Sequence, residues 1–170
     1  DFVTRFQQLT PAIRAKAVED TACFRYNRFI AISEVGADPG WFSTGVGEFH
    51  GAVQRWQRAG ARGMRSTSTH DSKRSEDVRA RLTVLTEDVA GWIRAVERWS
   101  ARASAWRVDG FPDRNFEYYF YQTLVGAWPL TRERALGHAQ KAIREAKSFT
   151  NWLQPSPTYE DAVSRWIEAC

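Results

Sequence analysis

The sequence predicts an all-α fold of about seven helices, and three observations predict it. Apolar residues recur at three- and four-residue steps over most of the chain. Helix-capping residues stand at the heads of those runs. The stretch without a helical period, residues 64–70, is short and rich in Ser and Thr, so at most one or two short strands are expected there.

Taken in order, Thr10 reads as an N-cap and Pro11 as a first-turn residue, opening a long helix over residues 10–33 with Ile13, Ala17, Cys23, Phe24, Ile30 and Ala31 on its apolar side. Ala37-Asp38-Pro39-Gly40 is a turn cluster. A second helix covers 45–59, with Phe49, Val53 and Trp56 on one face and Gly60 and Gly63 closing it. Asp71 or Ser72 is positioned to cap a third helix running to Leu85, with Val78, Leu82 and Leu85 inside. Thr86-Glu87-Asp88 starts a fourth, with Val89, Ile93, Val96 and Trp99 or Ser100 along one side. Residues 108–113 form a loop. The run from Asn115 to Ala127 is apolar and aromatic all round, which predicts a central helix buried on most sides, ended by Pro129. Thr131 caps a helix to Phe149, and Thr158 caps a last one after Pro155 and Pro157.

The 170 residues suffice for one core and carry no internal repeat, low-complexity segment or linker, so residues 1–170 read as a single helical domain. Apolar residues make up 43% and charged residues 26%, as in ordinary globular domains. The eight Trp are many for this length; such rings either fill gaps between helices or stack on flat ligands, sugar faces included. Net charge is +4, carried by Arg far more than by Lys, but the arginines interleave with acids at helical spacing, as at Glu76, Asp77, Arg79 and Arg81. That pattern argues for ion-paired helix faces rather than a nucleic-acid partner. Cys23 and Cys170 have no metal or redox spacing, which predicts reduced thiols and a cytoplasmic location, with no metal or cofactor. No apolar run approaches the roughly 18 residues a membrane span needs, and Asp1–Phe6 has no signal-peptide layout. The chain does not start with Met, which fits a fragment or internal domain and fits a removed initiator or tag equally well.

Three segments carry chemistry. Residues 66–77, STSTHDSKRSED, pack six hydroxyls, a His, three carboxylates, a Lys and an Arg into one polar stretch. They read as a strand end running into a helix N-terminus, the junction where barrel enzymes keep their sites, or equally as a plain helix cap with acidic partners. Residues 7–36 place Arg14, Lys16, Glu19, Asp20, Arg25, Tyr26, Asn27 and Arg28 along one helix, the wall of a polar cavity or a solvated ion-paired face. Residues 115–129 are core first.

LTPAIRAKAVEDTACFRYNRFIAISEVG, TSTHDSKRSEDVRARL and NFEYYFYQTLVGAWP, in that order along the chain, together resemble the maltooligosyltrehalose synthases of the α-amylase clan, glycoside hydrolase family 13. KAIREAKSFTNWLQPSPTYEDAV resembles them too. Ser72 stands where the family commonly has Thr, and Ser33 to Ala37 where it has Asn with paired glycines. The resemblance implies that the chain is a fragment of a parent (β/α)8 barrel enzyme, with residues 64–74 carrying the Thr-His-Asp end of a barrel strand. It implies that the parent turns the reducing-end α-1,4 bond of a maltooligosaccharide into an α,α-1,1 bond. It implies that the nucleophile and the acid/base lie on earlier strands, so the isolated chain is expected to be inactive.

By the same resemblance Asp71 is the catalytic carboxylate that this segment supplies, with His70, Lys73, Arg74, Tyr26 and Phe24 as substrate-binding residues, and Arg25 and Arg28 ranked lower as ligands or as residues that orient carboxylates. Without neighbouring strands, residues 64–69 are expected to be a loop or a frayed extended piece. Exposed apolar helix faces make a homodimer an expectation. The alternatives are an Arg-rich helical nucleic-acid-binding module and a purely structural helical subdomain.

Overall fold

The computed structural model describes residues 1–60, 62–64 and 66–170, and among them it contains seven α-helices of eight or more residues and no sheet. A lone antiparallel bridge, Val108 to Phe111, closes the loop around Gly110. No helix of the described residues is long and apolar enough to cross a membrane.

Helix α1, Phe2–Arg14, starts at Asp1, whose carboxylate accepts from the Val3 N–H. It runs on without a break through a π-helical stretch, Ala15–Ala22, and a last turn, Cys23–Arg25. The expected start at Thr10 is therefore wrong, and so is the expected end at residue 33. Pro11 sits inside the helix, where its missing N–H removes one ladder bond, and the backbone widens into π-helical turns just beyond it. The chain leaves the helix at Tyr26, whose ψ of 85° is not helical, and residues 30–32 form a separate 3-10 turn.

Helix α2 is Val46–Arg58, close to expectation, with Gly60 in the left-handed region just past its end. Helix α3 is Glu76–Thr83, and its cap is Ser75, whose hydroxyl accepts from the Val78 N–H. Asp71 and Ser72 lie in a turn upstream, so the expected cap is corrected to Ser75; the helix tightens to a 3-10 turn at Val84 instead of reaching Leu85. Helix α4, Val89–Ala103, is capped by Asp88. Its inward side is Trp92, Val96, Ser100 and Ala103; Val89 and Ile93, expected on that side, are exposed.

Helix α5, Arg114–Ala127, is the centre of the molecule. Phe116, Tyr119, Phe120, Gln122, Thr123 and Gly126 are all buried, so the helix is covered on most sides as its all-round apolar sequence predicts. Helix α6, Arg132–Ala146, is capped by Thr131 and ends at Lys147 in the left-handed region, short of Phe149. Helix α7, Pro157–Ala169, has Pro157 at its first position and no side-chain cap, so Thr158 is not its cap. Trp166 of α7 is fully buried against Phe120 and Tyr121, and its indole N–H donates to the Ala103 carbonyl at 3.0 Å. Helix α3 crosses α5 at Gly126, where an added Cβ would stand 2.9 Å from Val78 and 3.1 Å from Leu82.

Two apolar faces lie outside this core. Phe2, Phe6, Leu9 and Ile13 line one side of α1, and Val46, Phe49, Val53 and Trp56 one side of α2, and all eight are exposed.

Candidate functional site

The segment with the Thr-His-Asp sequence is a turn. As expected for this stretch without neighbouring strands, the described residues of 64–70 form a loop and no strand; Arg65 lies outside them. The Ser72 N–H donates to the Thr69 carbonyl at 3.3 Å, the Thr69 N–H to the Ser72 hydroxyl at 2.7 Å, and the Asp71 N–H to the Thr69 hydroxyl at 3.3 Å. The small hydroxyl residues thus satisfy the turn's own backbone groups, as Ser and Thr do in short turns. His70 and Asp71 stand at its tip, both exposed.

Behind the tip the segment is fastened to the rest of the molecule. Glu34, in the loop after α1, accepts from the Lys73 N–H at 2.6 Å, the Arg74 N–H at 3.1 Å and its neighbour Val35 N–H at 2.8 Å. The Arg79 guanidinium adds an ion pair at 3.1 Å. Burial works to raise the Glu34 carboxyl, but these donors outweigh it and hold it below the usual carboxylate range.

The Lys73 ammonium pairs with Asp20 at 2.8 Å, and Asp20 also pairs with Lys16 at 2.7 Å. Burial opposes the charge on both Lys73 and Asp20, yet the pairing wins: Lys73 is raised and Asp20 lowered from their ordinary values. Asp71 adds to the field that raises Lys73, so the two groups share one electrostatic neighbourhood.

Arg74 points inward. It is buried, its guanidinium donates to the Ser33 carbonyl at 3.1 Å, and it lies 5.6 Å from the centre of the Tyr119 ring. Tyr119 in turn stacks on the His138 ring and shares a 2.7 Å hydrogen bond with it. Burial, with the positive charges of Arg74 and Lys141 beside it, pushes the His138 imidazole down to about 4.

The second wall of the site is the chain from Phe24 to Gly36. Tyr26 is exposed at the helix end, whereas Phe24 is buried with its ring 6.2 Å from that of Tyr119. Arg25 spans to the end of α6, where it donates to the Ala146 carbonyl and, at 2.9 Å, to the Lys147 carbonyl, the favourable place for a cation. Arg28 lies over the Phe42 ring at 4.4 Å. Gln122 of α5 sets the height of this wall: its side chain accepts from the Ile30 N–H at 2.9 Å and donates to the Asn27 carbonyl at 2.9 Å. Buried Glu19 accepts from the Gly36 N–H at 3.2 Å and closes the wall's far end.

The expected site residues therefore separate by depth. His70, Asp71 and Tyr26 are open to solvent, Lys73 is half-buried, Phe24 and Arg74 are packed behind, and Arg25 faces the end of α6. Sequence reasoning did not single out Glu34 and Gln122, and it named Glu19 and Asp20 only as charges on a helix; these groups join the two walls. Among the described residues no three His, Cys, Asp or Glu side chains converge as a metal site would.

No family profile matches the chain. It is 38% identical over 171 residues to a putative maltooligosyl trehalose synthase of Mycobacterium tuberculosis, an alignment covering 96% of this chain and 22% of that protein. Among solved structures, the maltooligosyltrehalose synthase of Arthrobacter ramosus superposes with a TM-score of 0.85 at 39% identity, over 97% of this chain and 21% of that one. A hypothetical maltooligosyl trehalose synthase of Sulfolobus tokodaii gives 0.85 at 38% identity, over 96% and 23%. The chain spans about a fifth of the length of the relatives it matches. It is thus homologous, over nearly its whole length, to one segment of such proteins.

Proposed function

We propose that this chain is one segment of a maltooligosyltrehalose synthase, and that the turn from Thr69 to Ser72 carries its share of the active site. The observation that carries the proposal is the match along almost the entire chain, at 38% identity and with the fold kept, to proteins bearing that name. The turn supports it: Asp71 and His70 are presented to solvent on a fastened backbone rather than spent on capping a helix.

The proposed parent belongs to glycoside hydrolase family 13 and is cytoplasmic, a location that the free cysteines Cys23 and Cys170 support. Its substrate is a maltooligosaccharide, whose reducing-end α-1,4 bond it isomerises to an α,α-1,1 bond. The retaining route needs a nucleophilic carboxylate and a carboxylic acid/base. We assign both to parts of the parent outside this chain, so the chain alone does not turn over substrate.

Asp71 accepts hydrogen bonds from ring hydroxyls of the glucose at the cleaved bond, and those bonds strengthen as the ring flattens toward the oxocarbenium-like state. His70 beside it contributes a further polar contact. Tyr26 offers a ring face to the glucose that is released and turned over. Lys73 lies next to that sugar with its charge held by Asp20. Phe24, Arg74 and Arg25 serve the same site from behind, by fixing the wall that carries Tyr26 and the turn that carries Asp71. Water is kept from the intermediate, since otherwise free glucose is released.

The exposed faces of α1 and α2 are proposed to pack on the rest of the parent, and in the isolated chain to drive a homodimer. No nucleic-acid partner is proposed. Arg25, Arg79, Arg107 and Arg144 are engaged with carbonyls or carboxylates of the chain itself, which weakens the alternative of an Arg-rich nucleic-acid module.

The test compares the full-length protein and the isolated chain on maltopentaose. The full-length protein removes reducing ends and forms a terminal trehalose unit, and the isolated chain does neither. A full-length protein that leaves the reducing ends intact contradicts the proposal.

A further inference from the structure

We propose that Glu34 is a positioning residue for Asp71: by gripping the two backbone N–H groups that follow the Thr69–Ser72 turn, it fixes where the Asp71 carboxylate stands against the bound sugar. The inference rests on the reading of Asp71 given under Proposed function.

The hydrogen bonds inside the turn, among Thr69, Asp71 and Ser72, shape it but do not locate it in the molecule. What locates it comes immediately afterwards. Both oxygens of Glu34 are used. Oε1 accepts from the N–H of Lys73 at 2.6 Å and of Val35 at 2.8 Å, and Oε2 from the N–H of Arg74 and from the Arg79 guanidinium, each at 3.1 Å. Glu34 belongs to the same loop as Ser33, whose carbonyl receives the Arg74 side chain, and that loop is held to α5 through Gln122. The carboxylate is therefore the joint between the wall from Phe24 to Gly36 and the turn whose tip carries Asp71.

Four donors converging on one side chain require an acceptor with two oxygens and a negative charge. An amide of the same size cannot replace it. Its oxygen takes the donors on one side, while its NH2 group confronts the donors on the other. The Lys73 or Arg74 N–H then loses its acceptor and the turn shifts. A displacement of about 1 Å at a group acting on the transition state costs up to roughly a hundredfold in rate.

In the full-length enzyme, Glu34→Gln is expected to lower kcat for terminal-trehalose formation about ten- to a hundredfold, with KM for maltopentaose changed less than about threefold, because Asp71 binds most tightly in the transition state. Glu34→Asp keeps the charge but on a stem too short to reach every donor, and its kcat is expected to fall in between, at least about threefold above Glu34→Gln and at least about threefold below wild type. Folded Glu34→Gln enzyme with the wild-type kcat, whatever its melting temperature, overturns the inference. If Glu34→Gln does not fold, Glu34→Asp decides: a kcat reduced at least about threefold at unchanged KM supports the inference, and a wild-type kcat overturns it. Asp71→Asn is measured in parallel. If it remains active, the reading of Asp71 falls and the role of Glu34 falls with it. If it is inactive while Glu34→Gln matches wild type, the role of Glu34 alone is overturned.

Discussion

Lys73 Nζ stands 2.8 Å from Asp20 Oδ1, and this ion pair ties the turn that carries Asp71 to the long N-terminal helix. Its partners are mostly shielded, with side-chain exposures of 11% and 20%, so the pair is less screened than one at the surface.

Asp20→Asn removes the charge that pairs with the Lys73 ammonium. We expect a loss of about 1–2 kcal/mol in stability at pH 7. The Asp20 carboxyl is depressed in the folded chain, so its contribution is present above its ordinary value of 3.8 and lost as pH falls below it. Thermal unfolding of wild type and variant therefore differs at pH 7, and the difference shrinks as pH falls below 3.8. Equal midpoints at pH 7 would show that the pair is idle.

His138 gives the fold an acid limb. Its ring is held to about 4, against an ordinary 6.5, so between those values the unfolded chain binds the extra proton and stability falls as pH drops through the window. The upper bound on the loss is about 3 kcal/mol. His138→Gln keeps an acceptor for the Tyr119 hydroxyl and removes the titration. Chemical denaturation at several pH values should show a flatter profile from 6.5 to 4 for the variant. An unchanged slope would assign the acid limb to other groups.

Gly126 sets the spacing of α3 and α5. With Val78 at 2.9 Å and Leu82 at 3.1 Å from an added Cβ, Gly126→Ala forces the two helices apart. We expect a cost of about 1–3 kcal/mol, measurable as a lower denaturant midpoint. A neutral Gly126→Ala would mean that the α3 side chains yield freely.

How much of this was legible in the sequence depended on the range of each interaction. The central helix was legible, because an all-round apolar run from Asn115 to Ala127 has no reading but burial, and its burial at Tyr119, Phe120 and Gln122 agrees. The Thr131 cap and the closing Gly60 were legible as local signals. Pro11 misled, since a first-turn proline and an interior one carry the same local signal, and the choice was made by residues 2–9 continuing the helix. Ser75 won over Ser72 because Glu34 holds the backbone at 73 and 74 out of the helix. That last interaction joins residues 39 and 40 positions apart, and no period or spacing in a single sequence announces it. In the same way the sequence names Asp71 by resemblance, and only the fold shows it at the tip of a turn.

The most direct test of the central claim is the rate of terminal-trehalose formation by the full-length enzyme carrying Asp71→Asn. The side chain is exposed on a turn, so the variant folds as wild type does. If Asp71 makes the proposed ring-hydroxyl bonds, worth on the order of several kcal/mol in the transition state, a fall in kcat of about a thousandfold or more follows, with unfolding unchanged. A folded Asp71→Asn enzyme that forms trehalose ends at near the wild-type rate would contradict the account.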